Sequence, residues 1–275
     1  ALISGLKDKD IPYSPYSIKR MLENSATYLS HVEPWAQGAG LVNIEKAFEL
    51  LTSYHDVLER DVTFSIQCGP ANSKGILLRP RPDDPQKDIG VTIEPKFLHY
   101  HDDEHDKAVM SKQLSFGMRL ALSCGAAWLA APAHLDLMNA ARPIALRLDA
   151  AALPPGAHFT SLNAYDVTCP EKGPVFRVPV TVLQPTPLPP PPAAPQFTAT
   201  DVLFKPANIK RHFFMPPQGA TWGVLKMWTT DHNNSGRFLV HTMQLLPRRS
   251  CRCHETQKMV NVSSEAPTLL PFQVV

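Results

Sequence analysis

Two hydrophobic periods divide this chain. Up to about residue 52, apolar residues recur every three or four positions: Leu2, Ile3 and Leu6, then Ile18, Met21 and Leu22, then Ile44, Ala47, Phe48 and Leu51. That is the spacing of short helices with one buried stripe. Gly5 and the charged "KDKD" mark the exit of the first helix, and Ser14 followed by Pro15 is a cap with a first-turn proline opening the second. The third follows "GAG", Gly38 to Gly40. Three helices this short cannot enclose a core, so residues 1–52 are expected to pack on a partner outside the chain, and to be loosely held without it.

From about Val57 the period becomes two. "DVTFSI", "DIGVTIE", "QLSFGMRLALS" and "IALRLD" alternate apolar and polar residues, as half-buried strands do. In the third of these, Leu114, Phe116, Met118, Leu120 and Leu122 are expected to share one face. "PPGAHFTSLNAYD" and "FRVPVTV" read as the closing strands of a sandwich, with Pro179 tolerable on an edge. An all-β sandwich over roughly 57–184 follows. "QPTPLPPPPAAPQ", Gln184 to Gln196, admits neither helix nor central strand and reads as a stiff linker, with a role as ligand for an aromatic groove the alternative. Beyond it "TDVLFKP", "KRHFFMPPQGATWGVLKMW" and "GRFLVHTMQLL" restart a β pattern.

Composition narrows the function classes. Lysine and arginine total 27 against 25 acids, so no basic field favours nucleic acid or an anionic membrane. The longest apolar run, around "CGAAWLAAP", is cut by Pro132 and falls short of the ~20 residues of a membrane span. Five scattered cysteines, Cys68, Cys124, Cys169, Cys251 and Cys253, favour a reducing compartment and a cytoplasmic location. The start at Ala1, without a signal pattern, reads as an interior point of a longer protein.

Candidate chemistry is thin. "HYHDDEHD", His99 to Asp106, and "CRCH", with Cys251, Cys253 and His254, collect metal-ligating types, but neither has a second half at zinc spacing. They read as a hydrated acidic loop and a surface turn, and no cofactor is implied. No Gly-x-Ser-x-Gly or Gly-Thr-Ser opening a helix is present, so no catalytic residue is assigned. Ser4, the nearest candidate nucleophile, reads as a structural serine at the end of a helix. The Gly38/Gly40 pair suggests a phosphate loop, but no third glycine and no Lys-Ser/Thr follow.

The first 52 residues resemble the C-terminal end of a subtilisin-like serine peptidase domain: an apolar "ALI" helix end, a helix of the type "SPYSIKRMLENSA", and a "GxGLVN" turn at Gly38, Gly40 and Asn43 feeding a last helix. The resemblance makes the glycines structural and Asn43 a helix cap. "FTSLNAYD", "FRVPVTV", "FLVHTMQLL" and above all Lys205 to Trp222 are similar to the tripeptidyl peptidase II branch of that family. An alanine-rich stretch from Gly125 to His158 and the long proline run depart from its pattern.

This resemblance implies a mainly β chain: helices ending a subtilisin-like α/β domain over 1–56, an immunoglobulin-like sandwich over 57–184, a proline-rich linker over 185–196, and a partial galactose-binding-like domain over 197–275. It also implies a cytosolic exopeptidase that releases tripeptides from free N-termini of peptides and self-associates into a large homo-oligomer. Its Ser, His, Asp and oxyanion Asn are expected upstream of Ala1. The competing reading is a non-catalytic β-domain binding or scaffolding protein.

Overall fold

A computed structural model describes residues 1–79, 86–98, 103–151, 153–189, 193–206, 208–230, 235–246 and 254–274. The chain divides into two compact units, Ala1–Gln184 and Pro185–Val275.

The first unit opens with five helices: α1 (Leu2–Asp8), α2 (Pro15–Ser25), α3 (Pro34–Gln37), α4 (Ile44–Ser53) and α5 (Val57–Asp61). Ser14 caps α2 through a reciprocal pair with Ser17, and Pro15 sits in the first turn, where a missing N–H leaves no bond unmade. Leu2, Leu6, Met21, Ala47 and Leu51 bury one another, with Ile11, Tyr13, Leu22 and Phe48 packed around them. The helices therefore hold a small core of their own, contrary to the expectation that an external partner must supply it. Ile44, expected on the buried stripe of α4, is exposed.

The sandwich begins at Val62, because residues 57–61 form α5 with Asp56 as its cap. One sheet has the order β1 (Val62–Cys68), β3 (Gln86–Phe97), β7 (Arg142–Asp149), β5 (Leu129–Ala130). The other runs β2 (Ile76–Leu78), β9 (Phe176–Gln184), β8 (Gly156–Asp166), β4 (Gly117–Ser123), β6 (His134–Met138). Among the described pairings of these two sheets, only β2–β9 is parallel. Alternation does its ordinary work: Val91, Ile93, Leu146 and Leu148 from one sheet join Leu120, Leu162, Val178 and Val180 from the other in one cluster.

Two strand expectations need correction. The alternating pattern of "QLSFGMRLALS" runs into α6 (Asp103–Leu114), which ends through Ser115 N–H donating to the Ser111 carbonyl. Leu114 therefore belongs to the helix and is 80% exposed, while Phe116, Met118 and Leu120 are buried as expected. Pro179 does not lie on an edge strand, since β9 sits between β2 and β8. It is accommodated because β2 pairs only with Val180 to Val182, leaving position 179 without a partner on that side.

In the second unit β10 (Trp222–Met227) pairs with β13 (Thr268–Gln273), and β11 (Gly236–Met243) with β12 (Glu255–Val262). "TDVLFKP" forms no strand. Thr186 instead bridges to Phe214, and Phe197, His212 and Phe214 cluster.

Candidate functional site

The sequence singled out Gly38, Gly40 and Asn43. Gly38 and Gly40 have φ of 61° and 123°. A Cβ on Gly40 would lie 2.4 Å from the Thr27 carbonyl oxygen, so backbone passes where a side chain would have to sit. The reason is local: Thr27 and Leu41 exchange two backbone hydrogen bonds, each 2.8 Å, closing residues 27–41 into a loop. Gln37 fills it, accepting from Leu29 N–H and donating to the Leu29 and Val32 carbonyls. Asn43 accepts from Lys46 N–H at 3.0 Å as the cap of α4. Within this loop Trp35 meets Phe159 of β8 edge to face at 6.4 Å, and its indole N–H lies 3.4 Å from Thr181 Oγ1 of β9.

A feature that sequence reasoning missed lies between the helices and the sandwich. Glu59, fully buried in α5, places Oε2 2.5 Å from Arg20 Nη1 of α2 and Oε1 2.9 Å from Lys172 Nζ. Lys172, in the turn Pro170–Lys172, also reaches Asp166 Oδ2 at 2.9 Å, at the end of β8. Arg20 donates to the Val62 carbonyl at 2.6 Å, and Asp166 accepts from Thr168 N–H and Oγ1. Burial alone would lower the Lys172 pKa, but the attraction of Glu59 and contacts to both carboxylates outweigh it and hold it above the usual lysine range. Burial likewise opposes ionisation of Asp166, yet hydrogen bonds from Thr168 and Lys172 bring its carboxyl below the usual range. Two cations thus alternate with two carboxylates, the arrangement in which buried charge is tolerated. Beside it Asn24 of α2 donates to the Lys172 and Pro174 carbonyls and accepts from Arg177 of β9.

Other candidates stay apart from this cluster. Ser4 is the exposed third residue of the seven-residue α1, in its first turn rather than at its C-terminal end. Cys68, Cys124 and Cys169 are free, and burial pushes the Cys68 thiol up. His99 to Asp102, Cys251 and Cys253 lie outside the described residues, as do the side chains of Asp103 to Asp106. Among the described residues no group of three or more His, Cys, Asp or Glu is placed to hold a metal, and no helix is long and apolar enough to cross a membrane.

Comparison with known proteins gives a consistent result. Residues 62–183 match the family "Tripeptidyl-peptidase II, first Ig-like domain", and residues 204–275 match "TPPII, galactose-binding domain-like". The chain is 43% identical over 282 residues to tripeptidyl-peptidase 2 of Drosophila melanogaster, covering 99% of this chain and 19% of that protein. To tripeptidyl-peptidase 2 of Caenorhabditis elegans it is 29% identical over 94% of its length. A crystal structure of tripeptidyl peptidase 2 (TPP II) superposes with a TM-score of 0.90 and 42% identity, over 100% of this chain and 23% of that one. The chain spans about a fifth of the length of the curated relatives it matches.

Proposed function

Since this chain belongs to the tripeptidyl-peptidase II family, we propose that it is a supporting, non-catalytic part of a cytosolic subtilisin-like serine exopeptidase. On this reading residues 1–56 end the peptidase domain, 57–184 form an immunoglobulin-like domain whose sandwich proper starts at Val62 after α5, 185–196 a linker, and 197–275 part of a galactose-binding-like domain. The parent enzyme releases tripeptides from free N-termini of peptides and assembles as a large homo-oligomer. There a histidine takes the proton of the nucleophilic serine, an aspartate orients the histidine, and an asparagine side chain helps hold the oxyanion. Those groups belong to the parent, and this chain contributes support and assembly surfaces.

The observation that carries the reading is the extent of the likeness: 42% identity and a TM-score of 0.90 across the whole chain, yet over only 23% of the solved protein. The test is to incubate the purified chain with a fluorogenic tripeptide substrate and a fluorophosphonate that labels activated serines. No turnover and no labelling are expected. Stoichiometric labelling of one serine, with turnover abolished by its change to alanine, would make the chain an enzyme in its own right.

A further inference from the structure

The buried row Arg20, Glu59, Lys172, Asp166 has an asymmetry that its members' positions in the fold make consequential. Its first two members lie in the helical layer, on α2 and α5; its last two belong to the sandwich, in the turn after β8 and at the end of β8 itself. The outer members each have a second partner. Arg20 holds the Val62 carbonyl as well as Glu59, and Asp166 holds Thr168 as well as Lys172. Two contacts of the row cross between the layers: Arg20 on the Val62 carbonyl at the start of β1, at 2.6 Å, and Lys172 on Glu59, at 2.9 Å, the latter with side-chain exposures of 4% and 0%. Water cannot readily replace a contact so deeply enclosed, so its loss is felt as an unpaired buried charge rather than as a solvated one.

We propose that this row is a clasp through which the sandwich controls the seating of the helical layer, with Lys172 as its closing member. The small helical core is a weak anchor: Leu41, Val42 and Ile44 lie exposed at the start of α4, and only five residues form the buried centre of that layer. Charged and polar groups of α2 make its contacts with the sandwich: the clasp, Asn24 on the Lys172 and Pro174 carbonyls, Arg177 of β9 on Asn24 and Glu23, and the Arg20 guanidinium over the Phe64 ring. A disturbance at the end of β8 therefore reaches α2, some 150 residues earlier in the chain, without passing through the apolar core of either layer. If the helical layer ends a peptidase domain, which rests on the function proposed above, the clasp is the route by which the sandwich steadies that domain.

The test is native-state hydrogen exchange on the chain, read peptide by peptide, for the wild type and for Lys172→Met, Lys172→Arg and Asp166→Asn. Lys172→Met removes the closing member while leaving Glu59 on Arg20 and Asp166 on Thr168. It should speed exchange in Pro15–Ser25 by about tenfold or more, consistent with loss of a buried pair, while β3, β7 and the middle of β8 keep their protection. Lys172→Arg should recover part of that protection. Asp166→Asn leaves Lys172 on Glu59 and should give a smaller acceleration in the same α2 peptides, so a failure of Lys172→Met to fold does not remove the test. Unchanged α2 exchange in folded Lys172→Met would overturn the clasp. So would an equal loss of protection throughout 1–184, or an Asp166→Asn effect confined to β8. None of these results depends on peptidase activity, so the clasp and the proposed function fail separately.

Discussion

Two strands with nearly the same alternation, β7 in the first unit and β11 in the second, end in different surroundings. β7 lies between β3 and β5 and faces a second sheet, so Leu146 and Leu148 are fully buried. Among the described residues β11 pairs with β12, and its inner row, Phe238, Val240 and Thr242, is only half-buried, while Leu239 on its outer face is 55% exposed. Among the described residues of 185–275 only Val262 and Leu270 are buried, whereas the sandwich core brings together both of its sheets. The contrast shows that a period of two specifies which residues share a face, while the depth to which that face is buried depends on a second layer that the strand's own sequence does not encode.

The contrast can be tested by truncating one leucine in each strand, an inner one in β7 and an outer one in β11. Leu146→Ala should cost about 2–5 kcal/mol, because it empties a packed site, whereas Leu239→Ala should stay within roughly 0.5 kcal/mol as a surface change. Urea unfolding of both variants checks this, and equal costs would mean that the second unit has a core these residues do not reveal. A smaller loss is expected inside the first unit from Gly40→Ala. With φ at 123° and the Thr27 carbonyl 2.4 Å from the new Cβ, the strain is of order 1–3 kcal/mol, read as a lowered urea midpoint with an unchanged slope. Asn43→Ala removes the α4 cap at Lys46 N–H and should cost about 1 kcal/mol; Asn43→Asp should restore most of it.

The smallest effect at neutral pH becomes visible at the extremes. Asp166 is held below its ordinary pKa, so its contribution is present above the unfolded carboxylate value and is lost as pH falls through the folded one. Lys172 is held above its ordinary pKa, so its contribution is present below the unfolded lysine value and is lost as pH rises through the folded one. The melting temperature of the first unit should therefore fall in strong acid and again in strong alkali. Asp166→Asn should flatten the acid limb, and Lys172→Met the alkaline limb.

Much of the first unit was legible because its signals are local. Ser14-Pro15 announces α2, Gly40 and Asn43 the turn into α4, and the alternation in "IALRLD" and "FRVPVTV" the inner rows of two sheets. The failures have physical causes. Leu114 fits the two-residue period of the strand that follows it, but α6 carries the chain past that position before the strand begins. The clasp was invisible for a different reason. Arg20 lies in a helix and Lys172 in a turn, and only the fold brings them to the same carboxylate from 39 residues before Glu59 and 113 after. Nothing in local periodicity reports such a meeting. Likewise the contacts of Trp35 with Phe159 of β8 and Thr181 of β9, made while it stays exposed, have no local signal in the sequence.

Residues 1–184 close on themselves through the sandwich core and the clasp, while the described residues of 185–275 bury little among themselves. Limited proteolysis of the intact chain, with fragments mapped by mass spectrometry over time, tests it most directly. The first cuts should fall on the C-terminal side of Gln184, and a resistant body ending near that residue should persist while the remainder is degraded. A resistant fragment spanning 185–275, or earliest cleavage within β3, β7, β8 or β9, would contradict the account.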